Sequence, residues 1–561
     1  MKNIILKKSL VALATSALIA TFAVVIPTTA QAAPTCDDQT VLAGKSSTSI
    51  TFKKCVGTDF QGANYEIRMP KKFNGTLFLY SHGIRHSTVL PQIPVINPSA
   101  LDIATGYPEG WRSKLRTFPE VAPGRSPADQ ETIARTLLSQ GYALAGASPR
   151  VGGWAVPEHI EANMNLLEEA KTLFPKINKI VSWGDSLGGH ISQSMSEQFD
   201  SIDAAINLHM AGSADVQFSQ LGDVIWLTKT LFDPTIKGHG YENRFPGDPD
   251  GYKVFITDIY KVLGVLQTLQ ANIQKNPVTP AWPDTAPASL QASPIPVRSA
   301  IMLLGLLAGI PPQSTTYDAS SGPAGPLETT FGLAVNPAVA VLENYSSALG
   351  LGILAGYDAQ IRCGGVVYDN TKTDYAARLG DNRYTWATAL SGNTSINGML
   401  AYLSPLNPAA PRVKGDADAI DCINNQSKYN GKVSTPTITL SQTADAITPA
   451  GYVEKFKNLY QGNVSAKEAK PGLLLNIWNK PPDTYTKFSS AGLPITPAVP
   501  TTGTSHFMFT NEQIMAMAKL GAAAAKSGKL PSTKTALAAF KKDASIFIDP
   551  DFTPALMPQG K

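Results

Sequence analysis

Lys179-Ile180-Val181-Ser182-Trp183-Gly184-Asp185-Ser186-Leu187-Gly188-Gly189-His190-Ile191 is the stretch from which the rest of the chain can be read. Its first five residues form a short apolar run rich in β-branched and aromatic side chains, the pattern of a buried strand. From Gly189 to Phe199 the pattern changes to that of a helix. Between them lies Gly184-Asp185-Ser186-Leu187-Gly188, a G-x-S-x-G motif. A chain that passes from strand to helix this quickly must turn sharply at the serine. Glycines two residues to either side give that turn the room it needs. The motif alone is weak, because serine and glycine are common. The strand-turn-helix setting gives it weight.

Outward from this turn, short apolar runs recur at Thr76–Ser81, Tyr142–Ala147 and Ala204–His209. Ser126-Pro127 reads as an N-cap followed by proline at the first helical position, opening a helix to about Gln140. A second helix runs from Pro157 to about Phe174. Strands alternating with helices predict an α/β architecture, a mostly parallel sheet flanked by helices. Strand-like runs resume at Thr437–Ser441 and Leu473–Trp478, with helical patterns at Tyr452–Tyr460 and Asn511–Lys526. The expected core is therefore residues 33–212 and 433–545.

The intervening residues 213–432 are predicted to form a large, mainly helical cap. Val254–Ile273 carries apolar residues at helical spacing, and Arg298–Ile310 is apolar on every face. Proline-rich pieces, Asn276–Pro296 and Ile310–Pro326, separate such segments. Either these helices make a small domain with its own core, or they form a lid over an apolar site. The two readings are compatible. No internal repeat is evident.

A serine hydroxyl needs a base to become a nucleophile. If the order is serine, acid, histidine, the base lies late in the chain, and of the seven histidines only His506 lies beyond residue 239. Its setting, Gly503-Thr504-Ser505-His506-Phe507, is loop-like, so a surface histidine is the competing reading. Asp445 ends the polar turn after the strand Thr435–Leu440 and is the expected orienting acid. Of the other acids before His506, Glu454 and Glu468 belong to or flank a helix, and Asp483 in a Pro-Pro-Asp loop is the fallback. The Leu187 N–H is the expected first oxyanion donor, and Gly83 or Ile84, after the strand Thr76–Ser81, the second. His82 reads as a core histidine packing that loop.

Taken together, Ser81-His82-Gly83, the Gly184–Gly188 turn, the strand leading to Asp445 and Thr504-Ser505-His506 resemble the α/β-hydrolase superfamily over about residues 60–212 and 433–530. Gly141-Tyr142-Ala143, Gly152-Gly153-Trp154-Ala155-Val156 and His506-Phe507 are similar to secreted bacterial esterase/lipase and peptidase-like hydrolases. The resemblance implies an α/β-hydrolase fold and hydrolysis through an acyl-enzyme formed by Ser186, His506 and Asp445. The expected substrate is a small-molecule or polymeric carboxylic ester. A serine peptidase of short peptides is the alternative, and a non-catalytic binding protein on the same scaffold is a third. No cofactor and no metal is expected, and no EF-hand-like acidic loop occurs. The size of the cap departs from the pattern and leaves the pocket unreadable.

The N-terminus adds a compartment. Lys2, Lys7 and Lys8 precede an apolar stretch from Leu10 to Ile26, then Ala30-Gln31-Ala32, the pattern of a secretory signal peptide over residues 1–32. A membrane anchor is the competing reading, and Ala33-Pro34-Thr35 before Cys36 is not a lipoprotein box. By this reading no later segment reaches the roughly 20 apolar residues of a bilayer span, so no stable membrane insertion is expected. Four cysteines, Cys36, Cys55, Cys363 and Cys422, are expected as two disulfides. Pairing Cys36 with Cys55 and Cys363 with Cys422 closes the shorter loops. Zinc lacks a C-x-x-C spacing to support it. A 43% apolar composition excludes wholesale disorder, and 16% charged residues with net charge +4 argue against nucleic-acid binding.

Overall fold

The computed structural model describes residues 33–42, 49–88, 119–242, 249–276, 279–318, 336–426, 429–487, 489–490, 495 and 501–554. The expected signal peptide therefore lies outside the described residues. Ten strands form one mixed sheet: β1 (Thr35–Leu42), β2 (Ser49–Thr58), β3 (Asn64–Pro70), β4 (Thr76–Ser81), β5 (Ala143–Ser148), β6 (Lys179–Asp185), β7 (Ala204–Leu208), β8 (Thr437–Gln442), β9 (Leu474–Asn479) and β10 (Ile546–Phe547). Their spatial order is β1-β2-β3-β5-β4-β6-β7-β8-β9-β10. From β5 to β9 all pairs are parallel, while β1, β2, β3 and β10 join antiparallel.

The parallel strands read as uninterrupted apolar runs because helices bury both of their faces. Helices α1 (Pro127–Ser139), α2 (Val156–Leu173) and α3 (Leu187–Gln198) connect the first of them. Ser126 caps α1 by accepting the Asp129 N–H at 3.2 Å. The insertion follows β7: α4 (Ala214–Leu231), α5 (Pro249–Lys275), α6 (Val297–Ala308), α7 (Asn336–Cys363), α8 (Gly392–Tyr402) and α9 (Ala417–Asn425), with shorter turns between. Helices α10 (Gly451–Ser465), α11 (Asn511–Ser527) and α12 (Thr533–Ala539) complete the sheet's cover. The fold class is α/β, as expected: a mostly parallel sheet with flanking helices and a large helical insertion.

Three apolar clusters hold this together. One lies between the sheet and α1, α11 and α12, and a second between the sheet and α2 and α3. The third fills the insertion, where Leu303 and Leu307 of α6 are fully buried. The insertion is also joined to the core, because Leu351, Ala355 and Ala359 of α7 pack into the second cluster.

Two corrections to the sequence reading follow. The strands β1–β3 were not foreseen: β1 and β2 are largely exposed and polar, and β3, though buried, carries Asn64, Glu66 and Arg68 among its apolar residues. Nor was α7, whose Pro337–Cys363 portion is long and apolar enough to cross a membrane, contrary to the reading that no later segment qualifies. Its apolar residues are mostly buried among α4, α5 and α6, as in the core helix of a globular fold.

Candidate active site

Ser186 sits between the end of β6 and the start of α3 with φ 54° and ψ −122°, outside the ordinary helical and strand regions. Both glycines of the motif are sterically required. A Cβ on Gly184 would lie 2.2 Å from the Gly188 carbonyl oxygen, and one on Gly188 would lie 1.9 Å from that of Ser81. The turn is bolted to the end of β7: Ser186 N–H donates to Leu208 O at 3.0 Å, and Ser186 O accepts from Ala211 N at 2.9 Å. The Ser186 hydroxyl takes no part in capping α3.

The loops after β8 and before α11 meet through a parallel bridge, Ala444 to Thr504. Gln442 Nε2 donates to Thr504 O at 2.6 Å and Ser505 O at 3.1 Å, while its Oε1 accepts from Met508 N at 3.2 Å. This splint brings His506 against Asp445, with Nδ1 2.9 Å from Oδ2 and 3.1 Å from Oδ1. Asp445 Oδ1 also accepts Ile447 N at 2.8 Å and Thr448 N at 2.9 Å, and Oδ2 accepts Thr448 Oγ1 at 2.9 Å. Burial alone would raise this carboxyl, but the imidazoles of His506 and His209 together hold it well below the usual carboxylate range. The His506 contacts to Asp445, Thr448 and His209 are all made at Nδ1. A proton on Nδ1 directed at Asp445 leaves the Nε2 lone pair as a base. With its side chain 21% exposed, His506 is open to solvent while Asp445 is not.

The sequence reading missed His209. It follows β7 at φ 33°, fully buried, with Nδ1 3.1 Å from His506 Nδ1 and 3.5 Å from Asp445 Oδ2. Burial first, then the neighbouring His506, push its pKa down to about 4, so it is neutral near pH 7. Its position was a usable signal, since the C-terminal ends of parallel strands are where α/β sheets place their sites.

Gly83 lies beside Ser186: a Cβ there would be 3.4 Å from Ser186 Cβ. Gly83, Ile84 and Leu187 line one small cavity with His82 and His159. His82 is buried and donates from Nδ1 to Gly83 O at 2.7 Å. Burial, then the nearby Arg85, lower its pKa to about 3, so it is a neutral packing group. Arg85 donates to Ile84 O at 3.1 Å and is itself held by Glu120 at 2.5 and 2.7 Å. In trans peptides the N–H points opposite to the C=O. With the Gly83 and Ile84 carbonyls turned toward these donors, the N–H groups of Ile84 and Arg85 face the other way. Just before the serine, Asp185 is half-buried and accepts from Tyr80 Oη. Burial raises its carboxyl, against the pull of Tyr80 and Arg85.

Asp483 is exposed in a loop, whereas Asp445 is the acid beside His506. All four cysteines are paired, Cys36 with Cys55 across the β1–β2 register and Cys363 with Cys422 between α7 and α9. His209, Asp445 and His506 are also the set that could hold a metal ion, with one ligand atom from each within 4.8 Å of the others. The donor chemistry fits poorly, because both Asp445 oxygens already accept hydrogen bonds from its own turn.

No protein-family profile and no curated protein matches the chain. Among solved structures it is similar to feruloyl esterase B from Aspergillus oryzae, at 12% identity over 88% of each chain and TM-score 0.36. It is also similar to the rice cell wall degrading esterase LipA from Xanthomonas oryzae, at 10% identity over 80% of this chain and 92% of that one, TM-score 0.32. Candida antarctica lipase A in its closed state gives 12% identity over 89% and 82%, TM-score 0.32. Likeness at this level is too loose to carry function.

Proposed function

We propose that the chain is an exported serine hydrolase of carboxylic esters, with Ser186 as nucleophile, His506 as base and Asp445 as its orienting acid. The observation that carries this reading is the strained Ser186, whose hydroxyl is left out of the helix cap, in a fold where the loops after β8 and before α11 join a His–Asp pair whose side-chain contacts among the described residues are made at His506 Nδ1. In the proposed reaction His506 Nε2 takes the hydroxyl proton as Ser186 Oγ attacks the ester carbonyl. The Leu187 N–H, with that of Gly83 or Ile84, then stabilises the oxyanion. His506 returns the proton to the leaving alcohol, and water hydrolyses the acyl-enzyme by the same steps.

Residues 213–432 are taken as the cap. Its first helix touches the site: Gln217 Nε2 donates to Ile447 O at 3.0 Å and Gln220 Nε2 to Ala446 O at 3.1 Å, bracing the Asp445 turn. Its apolar composition favours esters with an apolar acyl or aromatic part over charged peptides. Two disulfides and the signal-like N-terminus support export.

A fluorophosphonate probe followed by peptide mapping tests the reading directly. The expected result is a single label on Ser186, absent in Ser186→Ala, with nitrophenyl esters cleaved faster than aminoacyl nitroanilides. Faster nitroanilide cleavage would move the assignment to a peptidase. Activity lost on dialysis against a chelator and restored by zinc, without labelling, would favour a metal at His209, Asp445 and His506.

A further inference from the structure

We infer that Asp358, on the insertion helix α7, is a positioning residue that holds the oxyanion loop in register with Ser186, an inference that rests on the hydrolase reading above. The loop 82–88 leaves β4 and carries Gly83 and Ile84. Its far end is tied to a residue 270 positions away: Asp358 Oδ2 accepts Ser87 N–H at 2.9 Å, and Oδ1 accepts Thr88 Oγ1 at 2.5 Å. Asp358 is 2% exposed, so its charge has been taken out of water and must be balanced by donors. Those donors come from the loop, with His86 beside them.

The surroundings leave the loop no slack. Gly153 N donates to Arg85 O at 2.6 Å. A Cβ on Gly152 would lie 2.5 Å from Arg85 O, and one on Gly153 would lie 3.2 Å from Asp358 Cβ. Two glycines thus let the loop and the helix close on each other. Helix α7 is fixed at the same height: Arg362, one turn beyond Asp358, binds Glu158 of α2 at 2.5 and 2.6 Å, and Cys363 is cross-linked to Cys422. An anchored helix holds Asp358, Asp358 holds Ser87 and Thr88, and the chain between them and β4 has few residues in which to relax. The insertion therefore builds the oxyanion site as well as flanking it.

The test is Asp358→Leu, which keeps the bulk but removes both acceptors, leaving the Ser87 N–H and the Thr88 hydroxyl without the partner that ties the loop to α7. Activity on a soluble acetyl ester is read as kcat per titrated active site, beside KM and the Ki of a trifluoromethyl ketone whose serine adduct places its oxygen in the oxyanion site. Losing one oxyanion donor outright costs about 10²–10³ in kcat, so displacing the loop should cost at least about tenfold. Ki should rise by a similar factor while KM changes less than about threefold, the signature of an interaction made in the transition state. A merely structural role would lower the titrated fraction and leave kcat per site and Ki unchanged, and that result overturns the inference. If Asp358→Leu does not fold, Thr88→Val removes one of the two ties and should move kcat and Ki together by a smaller factor; no change there overturns the inference too. A wild type that neither labels nor cleaves esters refutes the hydrolase reading instead.

Discussion

Replacing Asp445 by asparagine should trap His506 in the wrong tautomer, and the geometry sets the size of the effect. Oδ1 accepts two backbone N–H groups, from Ile447 at 2.8 Å and Thr448 at 2.9 Å. The amide must keep its oxygen there, because an NH2 would face both donors. Each buried donor left unsatisfied costs about 1–3 kcal/mol, so the reversed amide lies at least about 2 kcal/mol higher, under about one molecule in thirty. In the favoured orientation the NH2 points at His506 Nδ1, which must then accept, and the proton moves to Nε2. A histidine so held cannot take the serine proton. Losses on the order of 10⁴ in kcat follow such a change in triads of this kind, about 5 kcal/mol of barrier.

The assay is single-turnover and steady-state cleavage of a nitrophenyl ester, normalised to folded protein. The expected kcat lies between about 10⁻⁴ of wild type and the one-thirtieth ceiling set by the reversed amide. More than about a tenth remaining would refute the assignment of Asp445 as orienting acid. Stability gives a control of known sign. Because this carboxyl is held low in the folded state, its contribution is present above its unfolded value near 3.9 and is lost only as pH falls below that. The Tm difference between wild type and variant should shrink below about pH 4.

Gly188→Ala should abolish activity and lower stability by about 1–3 kcal/mol in urea unfolding, because its Cβ would meet the Ser81 carbonyl oxygen at 1.9 Å; an active, stable variant would contradict the elbow geometry. Asp185→Asn should raise Tm at neutral pH. Burial raises this carboxyl, so its ionisation costs stability as pH rises through its folded value, and the variant's advantage should grow as pH rises above about 4; a pH-independent difference would count against it. Removing Cys36–Cys55, which spans 19 residues, should cost about 3 kcal/mol, and removing Cys363–Cys422, which spans 59, about 4 kcal/mol, measured with serine pairs in urea. The reverse order would show that chain entropy does not dominate.

What could be read from the sequence was local. The parallel strands are short apolar runs because both faces are buried, and the elbow is a contiguous pattern with a steric cause. His506 came from elimination among seven histidines, and Asp445 from its place after a strand. Helix α7 was not read from the sequence; it carries Gly350, Gly352 and Gly356, residues that weaken a helical pattern. At Gly352 the missing side chain has a structural cause, since a Cβ there would lie 3.2 Å from the Leu221 carbonyl of α4. The pairings made by His209 and Asp358 were hidden for another reason. Their partners His506 and Ser87 lie 297 and 271 residues away, a separation that no periodicity encodes.

Backbone strain draws the same site from an independent direction. Among the described residues eight non-glycine residues have positive φ, and four of them are Ser186, His209, Ser505 and Phe507. Each such conformation costs on the order of 1–3 kcal/mol and persists only where its surroundings over-determine it. Glycine or asparagine would relieve the strain, yet these positions carry a serine, a histidine, and the two residues that flank another histidine. The determining contacts are visible. Leu208 and Ala211 hold the Ser186 backbone, Leu440 O receives the His209 N–H at 2.7 Å, and Gln442 grips residues 504, 505 and 508. The insertion adds Gln217 and Gln220 against the Asp445 turn and Asp358 against the loop after β4. A fold that needed only stability would let these turns relax. Holding them strained against polar anchors from both the sheet and the insertion is what a preorganised acyl-transfer site requires, since groups already aligned need no reorganisation as charge develops.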